Sequence, residues 1–294
     1  MIRRVLLLAF VPSVLSAQSR WDTATVRAQP LRNGVYVIFG VGGNIGLSTG
    51  PDAAFLVDDQ YAPLTQKVIA AVKSATDQPV KFVINTHWHG DHTGGNENFG
   101  KAGVVLVAHD NVRKRMSVEQ FVGTARRTAA APAAALPVVT FNDSVTFHIN
   151  GDSLIAFHVP PAHTDGDVLI YFAKADVIHM GDTYFATGYP FVDVMSGGNV
   201  DGVIAAADRA LAMCTPNTIV IPGHGPTQTC DTLRTWRNMV ATVRDRVQAE
   251  MRKGRTLDEL KAAGLSAEFD AQWGRGFIQP PAFVEAIYRS LGGR

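Results

Sequence analysis

Along this 294-residue chain the apolar positions fall mostly in short blocks at strand spacing, broken by turn residues and by a few longer stretches at helical spacing. Strands are expected over Val35–Phe39, Asn44–Ser48 and Ala53–Val57, with Gly50-Pro51-Asp52 as a turn. Pro63–Ala75 carries apolar residues at helical spacing, with a proline near its start. Val80–Asn85 is a further strand, Asn96–Phe99 opens a helix, and Gly103–Ala108 returns to strand. Strands resume over Val138–Phe141, Val145–Ile149, Leu154–Val159, Val168–Phe172 and Val177–Met180. A helix follows over Val200–Met213, and Thr218–Ile221 is the last strand. Beyond Cys230 the pattern is helical, over Cys230–Arg252, Leu257–Ala263 and Pro281–Leu291; these segments serve as packing elements or as a substrate lid, and packing is the expected role. Ala129–Ala135 is of low complexity, a short helix broken by Pro132 or a loop able to overhang a site. Strands mixed with helices in both halves give an α/β fold, and periodicity alone says no more.

Chemistry gathers at the ends of the strands. His87-Trp88-His89-Gly90-Asp91-His92 directly follows the apolar run Val80–Ile84, which puts three imidazoles and a carboxylate at one rim of a sheet. On an extended segment alternating side chains point the same way, so His87, His89 and Asp91 are expected to converge. His92 then faces elsewhere, which suits a second metal. Leu154–Val159 leads to Pro160-Pro161-Ala162-His163, Val177-Ile178-His179-Met180-Gly181 leads to Asp182, and Thr218–Ile221 leads to Pro222-Gly223-His224-Gly225. A lone histidine on a loop is usually a surface residue, but this spacing after a strand is that of a metal site. Imidazole and carboxylate ligands with no thiolate suit Zn²⁺, and Fe or Mn tolerates the same set. Two such ions share a water, lower its pKa toward neutrality and so supply hydroxide for attack on a carbonyl carbon. No serine or cysteine nucleophile is then needed, and Asp91 is the candidate proton carrier. His109, His148, His158 and His179 are expected to be satisfied polar groups of the sheets, with His179 the nearest to a supporting role.

These residues resemble the metallo-β-lactamase superfamily of hydrolases. The match comprises His87, His89, Asp91, His92, His163, Asp182 and His224 in the family's order, and runs from about Asn33 to the helix after His224. The resemblance implies a four-layer αβ/βα sandwich, two mixed sheets face to face with helices outside. It also implies one metal held by His87, His89 and His163, a second held by Asp91, His92 and His224, and Asp182 bridging them. Asp58, at the end of Ala53–Val57, stands where the family often places a carboxylate against a ligand histidine; Asp59 is expected to be a solvated turn acid. A bridging Asp is similar to glyoxalase II, lactonases and general di-metal hydrolases. The familiar secreted β-lactamases have Cys or Ser there, and many follow it with a cation, whereas Asp182-Thr183-Tyr184-Phe185-Ala186 offers none. Trp88, Tyr184, Phe185 and Tyr189 are candidates to line a substrate pocket, and Phe191 follows them closely.

Composition and termini narrow the setting. With 46% hydrophobic residues the chain can bury a sizeable core. Its formal charge of +1 and its short, separated basic runs (Arg113-Lys114-Arg115 and Arg126-Arg127, read as solvated surface) argue against a nucleic-acid partner. Residues 1–17 read as a secretory signal peptide, with Arg3 and Arg4 ahead of the apolar run Val5–Leu15 and Ser16-Ala17 at its end. That run is too short to span a bilayer. Its removal takes away two arginines and no acid, moving the formal charge from +1 to −1. One domain over residues 18–294 is expected, with C-terminal helices from about 230, in the periplasm or the medium. An oxidising compartment allows Cys214 and Cys230 to pair around the loop that carries His224. The functional expectation is an exported di-zinc hydrolase opening a β-lactam, lactone or acyl thioester, with weak β-lactamase activity even where the native substrate differs. A mononuclear iron persulfide dioxygenase and a non-catalytic metal-binding scaffold are the alternatives.

Overall fold

The computed structural model describes residues 20–122 and 126–293; the expected signal peptide lies outside them. The N-terminal half builds a seven-stranded sheet. After a helical turn α1 (Arg20–Thr23) come β1 (Arg27–Pro30), β2 (Val35–Phe39), β3 (Ile45–Ser48) and β4 (Ala54–Val57), an antiparallel meander. Helix α2 (Thr65–Lys73) crosses over to β5 (Val80–Ile84), which lies parallel to β4. Two short helices, α3 (Gly90–Thr93) and α4 (Asn96–Lys101), precede β6 (Val105–His109), parallel in its turn to β5. Helix α5 (Asp110–Met116) and a small hairpin of β7 (Gln120–Val122) and β8 (Arg126–Thr128) follow. β9 (Val139–Phe141) then closes the sheet, parallel to β6.

The second sheet has six strands in sequence order. β10 (Ser144–Ile149), β11 (Asp152–His158), β12 (Val168–Phe172) and β13 (Val177–His179) pair antiparallel. Helix α6 (Val200–Ala212) leads to β14 (Ile219–Ile221), parallel to β13, and β15 (Gln228–Thr229) borders it. Helices α7 (Cys230–Arg252), α8 (Leu257–Ala262), α9 (Ala267–Trp273) and α10 (Pro280–Ser290) complete the chain. Among the described residues no helix is long and apolar enough to cross a membrane.

Strand alternation explains the layers. Val35, Val37, Phe55, Val57, Ile84 and Val107 face Leu154, Ile170, Phe172, Val177 and Ile221 across the inter-sheet core. The other face of the first sheet puts Ile38, Ile45, Leu47 and Leu56 under Val68 and Val72 of α2. The other face of the second puts Leu169, Ile178 and Val220 under α6, α7 and α10 through Val203, Leu233, Trp236 and Phe283. This is the expected four-layer sandwich of two mixed sheets with helices outside. The C-terminal helices pack, as expected.

Several elements escaped the periodicity. β1, the β7–β8 hairpin and β15 are too short to show a pattern, and α9 lies inside a stretch read as connection. The alanine-rich segment packs against α5, the Ala131 amide donating to the Met116 carbonyl at 2.8 Å. It ends in a 3₁₀ turn, Ala133–Ala135, where the Ala135 carbonyl accepts the Asn96 amide at 3.0 Å, and Ala135 joins the small core cluster of Trp88, Val112 and Met116.

Candidate metal centre

β4, β5 and β6 run parallel in one sheet and β13 and β14 in the other, so the loops after them share one rim of the sandwich. Asp58 follows β4, His87 follows β5, Asp182 follows β13 and His224 follows β14, while His163 comes from the loop between β11 and β12. All seven expected ligand residues meet there, in two clusters: His87, His89, His163 and Asp182, and beside them Asp91, His92 and His224. The segment stays extended only through His89. At Gly90 it turns into the short helix α3, which carries Asp91 away from His87 and His89 to the side of His92 and His224. Alternation along one extended loop therefore accounts for His87 and His89 but not for Asp91.

In the first cluster each ring has one nitrogen toward the centre and the other engaged elsewhere. His89 Nδ1 lies 2.8 Å from His163 Nε2, and its Nε2 meets Asp193 Oδ2 at 3.0 Å. His163 Nδ1 donates to the Phe191 carbonyl at 2.6 Å. His87 Nδ1 lies 3.0 Å from Thr86 Oγ1, and its Nε2 is buried with no hydrogen-bond partner. An orphaned, buried imidazole nitrogen beside a carboxylate is what a site shaped for a cation looks like. Burial, reinforced by the neighbouring His92, drives His87 well below the ordinary imidazole range. Burial together with His89 brings His163 to about 4.

The second cluster has the opposite electrostatics. His92 Nδ1 meets Asp58 Oδ2 at 2.7 Å, while His92 Nε2 lies 3.0 Å from Asp182 Oδ1 and 3.8 Å from Asp91 Oδ2. His224 Nε2 lies 3.3 Å from Asp91 and 3.4 Å from Asp182. Burial opposes charge on His92, yet Asp182, Asp91 and Asp58 overcome it and hold the ring well above its ordinary value. Asp182 and Asp91 lift His224 to about 9 against its own burial. Burial likewise resists ionisation of Asp182 and Asp91, but the surrounding histidines win; Asp91 falls to about 2 and Asp182 well below its usual range. Small residues make room for this crowding: a Cβ on Gly223 would stand 2.0 Å from Asp182 Oδ1, and one on Gly43 the same distance from the His92 ring.

Supporting residues follow. Asp58, in the left-handed region at φ 66°, accepts the Thr86 amide at 2.7 Å and hydroxyl at 2.8 Å as well as His92, so it stands where the resemblance places it. Asp59 is not solvated: it is fully buried and accepts the Gly95 amide at 2.8 Å. Asp193 was not apparent in the sequence, since nothing in Phe191-Val192-Asp193 marks it; the chain path alone brings it to His89. Asn44 is a second such residue. Its side chain donates to the carbonyls of Pro222 at 2.9 Å and Gly225 at 2.8 Å, and its own amide donates to Gly223 at 2.7 Å, so it clasps the His224 loop from both sides. His179 Nε2 donates to the Asn44 carbonyl, and its Nδ1 accepts from Gly181 just ahead of Asp182. Asp167 accepts both the amide and the hydroxyl of Thr164, fixing the loop that presents His163. Arg115, expected on solvated surface, pairs through two nitrogens with Asp165 in that loop. Cys214 and Cys230 form a disulfide bracketing β14 and His224.

Three of the four aromatic candidates for the pocket belong to the core instead. Trp88 packs with Ala108, Val112 and Met116. Tyr184 meets Trp236 edge-on, and Tyr189 stacks on Phe283 with its hydroxyl donating to Asp270 at 2.6 Å. Their side chains point from the loop into the helices rather than into the centre. Phe185 is half-buried, stacked on His224 at 5.3 Å, and Phe191 is half-buried against His89 and His163. A groove of about 410 Å³ opens beside His224, bordered by Arg27, Phe39, Val41 and Thr227.

Several known proteins are similar to this chain. The chain is 27% identical over 203 residues to a hydroxyacylglutathione hydrolase of Rhodospirillum rubrum, covering 68% of this chain and 67% of that one. It is 24% identical over 251 residues to a linear primary-alkylsulfatase of a Pseudomonas species, covering 71% of this chain and 47% of that one. Among solved structures, the sec-alkylsulfatase Pisa1 from Pseudomonas sp. superposes with a TM-score of 0.70 at 18% identity, over 91% of this chain and 50% of that one. A metallo-beta-lactamase from Pontibacter korlensis gives a TM-score of 0.62 at 20% identity, over 74% of this chain and 99% of that one. The chain thus spans about half the length of the two alkylsulfatases. The family model described as the metallo-beta-lactamase superfamily matches residues 38–231, which take in every residue of both clusters, and the chain belongs to that superfamily.

Proposed function

We propose that the protein is a di-zinc hydrolase of acyl compounds, acting on an amide, ester or thioester carbonyl. The observation that carries this reading is the convergence of seven nitrogen and oxygen ligand residues into two adjoining clusters that share one wall, Asp182. A pair of divalent cations held there supplies a water activated at neutral pH and a Lewis acid for the acyl oxygen. The chain's own residues do the rest. Asp193, Thr86 and the Phe191 carbonyl fix the ring orientations of His89, His87 and His163, and Asp58 fixes that of His92. Asp91, ionised and partly open to solvent beside His224, is placed to take a proton and pass it to the departing group. An Asp91→Asn protein that binds both metals and turns over at the full rate would sink that role.

By their names the relatives above are a hydroxyacylglutathione hydrolase, two alkylsulfatases and a metallo-beta-lactamase, and an acyl thioester is the first substrate class to try. Export to the periplasm or medium is part of the proposal, supported by the apolar N-terminal run and by a disulfide that needs an oxidising compartment. Two free thiols in denatured, unreduced protein would count against it. The deciding experiment is elemental analysis of the mature protein beside a panel of nitrocefin, a lactone and an acyl thioester. About two zinc per chain with turnover of any member supports the hydrolase, and the best substrate ranks the subclasses. One iron per chain with no hydrolysis overturns it in favour of the dioxygenase.

A further inference from the structure

A single apolar side chain left in water needs no explanation, but one continuous with other apolar side chains beside a candidate site forms a patch that a ligand can cover. Phe277 is 82% exposed in the turn between α9 and α10, beyond the residues that the family model matches. Its ring lies edge-on to Phe191 at 6.0 Å. Phe191 in turn stacks on His89 at 5.9 Å and meets His163 edge-on at 5.4 Å. Aromatic surface therefore runs without a break from two ligand residues of the first cluster out to solvent. Glycines permit the approach: a Cβ on Gly276 would stand 3.1 Å from the Gly188 Cα, so the C-terminal turn rests directly on the loop that carries Phe185 and Phe191. That loop is pinned from below, the Gly188 carbonyl accepting the Trp236 indole N–H at 3.0 Å. Met195, 60% exposed and two residues beyond Asp193, adds a further apolar side chain to the segment bordering the first cluster.

We infer that Phe191 and Phe277 form a subsite for the apolar arm of the substrate, an alkyl or aryl acyl group whose carbonyl lies at the metal centre. The position of the carbonyl rests on the acyl-hydrolase reading; the grip on the arm does not. A polar, charge-lined centre recognises the reacting carbon whatever it is attached to, whereas this track rewards apolar length. Each methylene laid fully against it gains at most about fourfold in affinity. Phe277 is accordingly a specificity-determining residue contributed by the C-terminal helices.

The test uses zinc-loaded full-length mature protein, wild type and Phe277→Ala, with Phe277→Trp as the variant that keeps an apolar ring. Rates are taken with acetyl, butyryl, hexanoyl and octanoyl thioesters of one thiol, and butyrate and octanoate binding is measured by calorimetry. In the wild type kcat/KM should rise with chain length through KM. Phe277→Ala should lower the octanoyl-to-acetyl ratio about tenfold and the octanoate-to-butyrate affinity ratio with it, and Phe277→Trp should restore both. A ratio unchanged by Phe277→Ala overturns the inference. So does a dimer, or binding to phosphatidylcholine vesicles, that Phe277→Ala abolishes, because the ring is then covered by something other than substrate. If no thioester is turned over, the hydrolase reading fails, while the octanoate-to-butyrate ratio still decides the subsite.

Discussion

The two ligand clusters use the same kinds of side chain in opposite electrical settings. His87, His89 and His163 are buried and face one another, with Asp182 beside His87 and His163 and Asp193 behind His89; burial and mutual repulsion favour neutral rings on His87 and His163. His92 is set among Asp182, Asp91 and Asp58, and His224 beside Asp182 and Asp91, and these carboxylates favour the charged form of both rings. Support differs as well. The first cluster has Thr86, Asp193 and a backbone carbonyl behind its three rings, whereas His224 is 31% exposed and owes its position to the Asn44 clasp and the disulfide around its loop. A metal site is thus set by what stands behind its ligands as much as by the ligands themselves. Here one half is preorganised for a cation, and the other must first give up protons.

Asp182 belongs to both halves, and Asp182→Ala should erase the difference between them. The loss of several kcal/mol of charge stabilisation corresponds to about 10³-fold or more in rate, checked by kcat/KM on the best panel substrate. Asp193→Ala and Asp58→Ala should divide the halves. Each should cost about 10–100-fold in affinity at one site only, the first behind His89 and the second behind His92, read by competition with a zinc chelator. Equal effects on both sites would mean that the clusters are not separate units.

Acidity should divide them by a gentler route. A cation can enter the second cluster only as His224, at about 9, and His92 release protons, so its affinity should fall about tenfold per pH unit for each bound proton as the pH drops below 9. His163, at about 4, imposes no such loss on the first cluster until the solution is far more acidic. At pH 6 the protein should therefore keep the first metal and lose much of the second, with calorimetry in buffers of different ionisation enthalpy counting the protons released. The smallest effect is expected from Asn44→Ala. It leaves buried carbonyls of the His224 loop without donors, a cost of about 1–3 kcal/mol shared between global stability and the second site. Thermal melts with and without zinc would apportion it.

Much of the fold was legible along the chain. β2 and β12 have the bounds that their apolar runs predict, and α7 runs from Cys230 to Arg252 as expected. Short, irregular pieces were not legible: a two-residue strand or a four-residue helix is too brief to show a period, and α3 overrode alternation at Gly90, where His89 turns extended backbone into a helical turn. The aromatic candidates failed for a related reason. Proximity of Tyr184 and Tyr189 to Asp182 in sequence says nothing of which way each side chain leaves the loop, and the core on the helical side takes both.

Ligand chemistry is a local property here, since each ligand ends or follows an apolar run that marks a strand, and strand ends on one rim can hardly fail to meet. Types and order of the seven residues that meet at this rim were therefore readable from sequence alone. The company those residues keep was decided by tertiary structure, because it joins positions with no sequence relation. Asp193 reaches His89 across 104 residues, Asn44 holds the loop of His224 across 178, and Phe277 meets Phe191 from the far end of the chain. Such pairs carry no periodic or motif signal. They are fixed only when two sheets close on a shared core and bring their loops to the same edge.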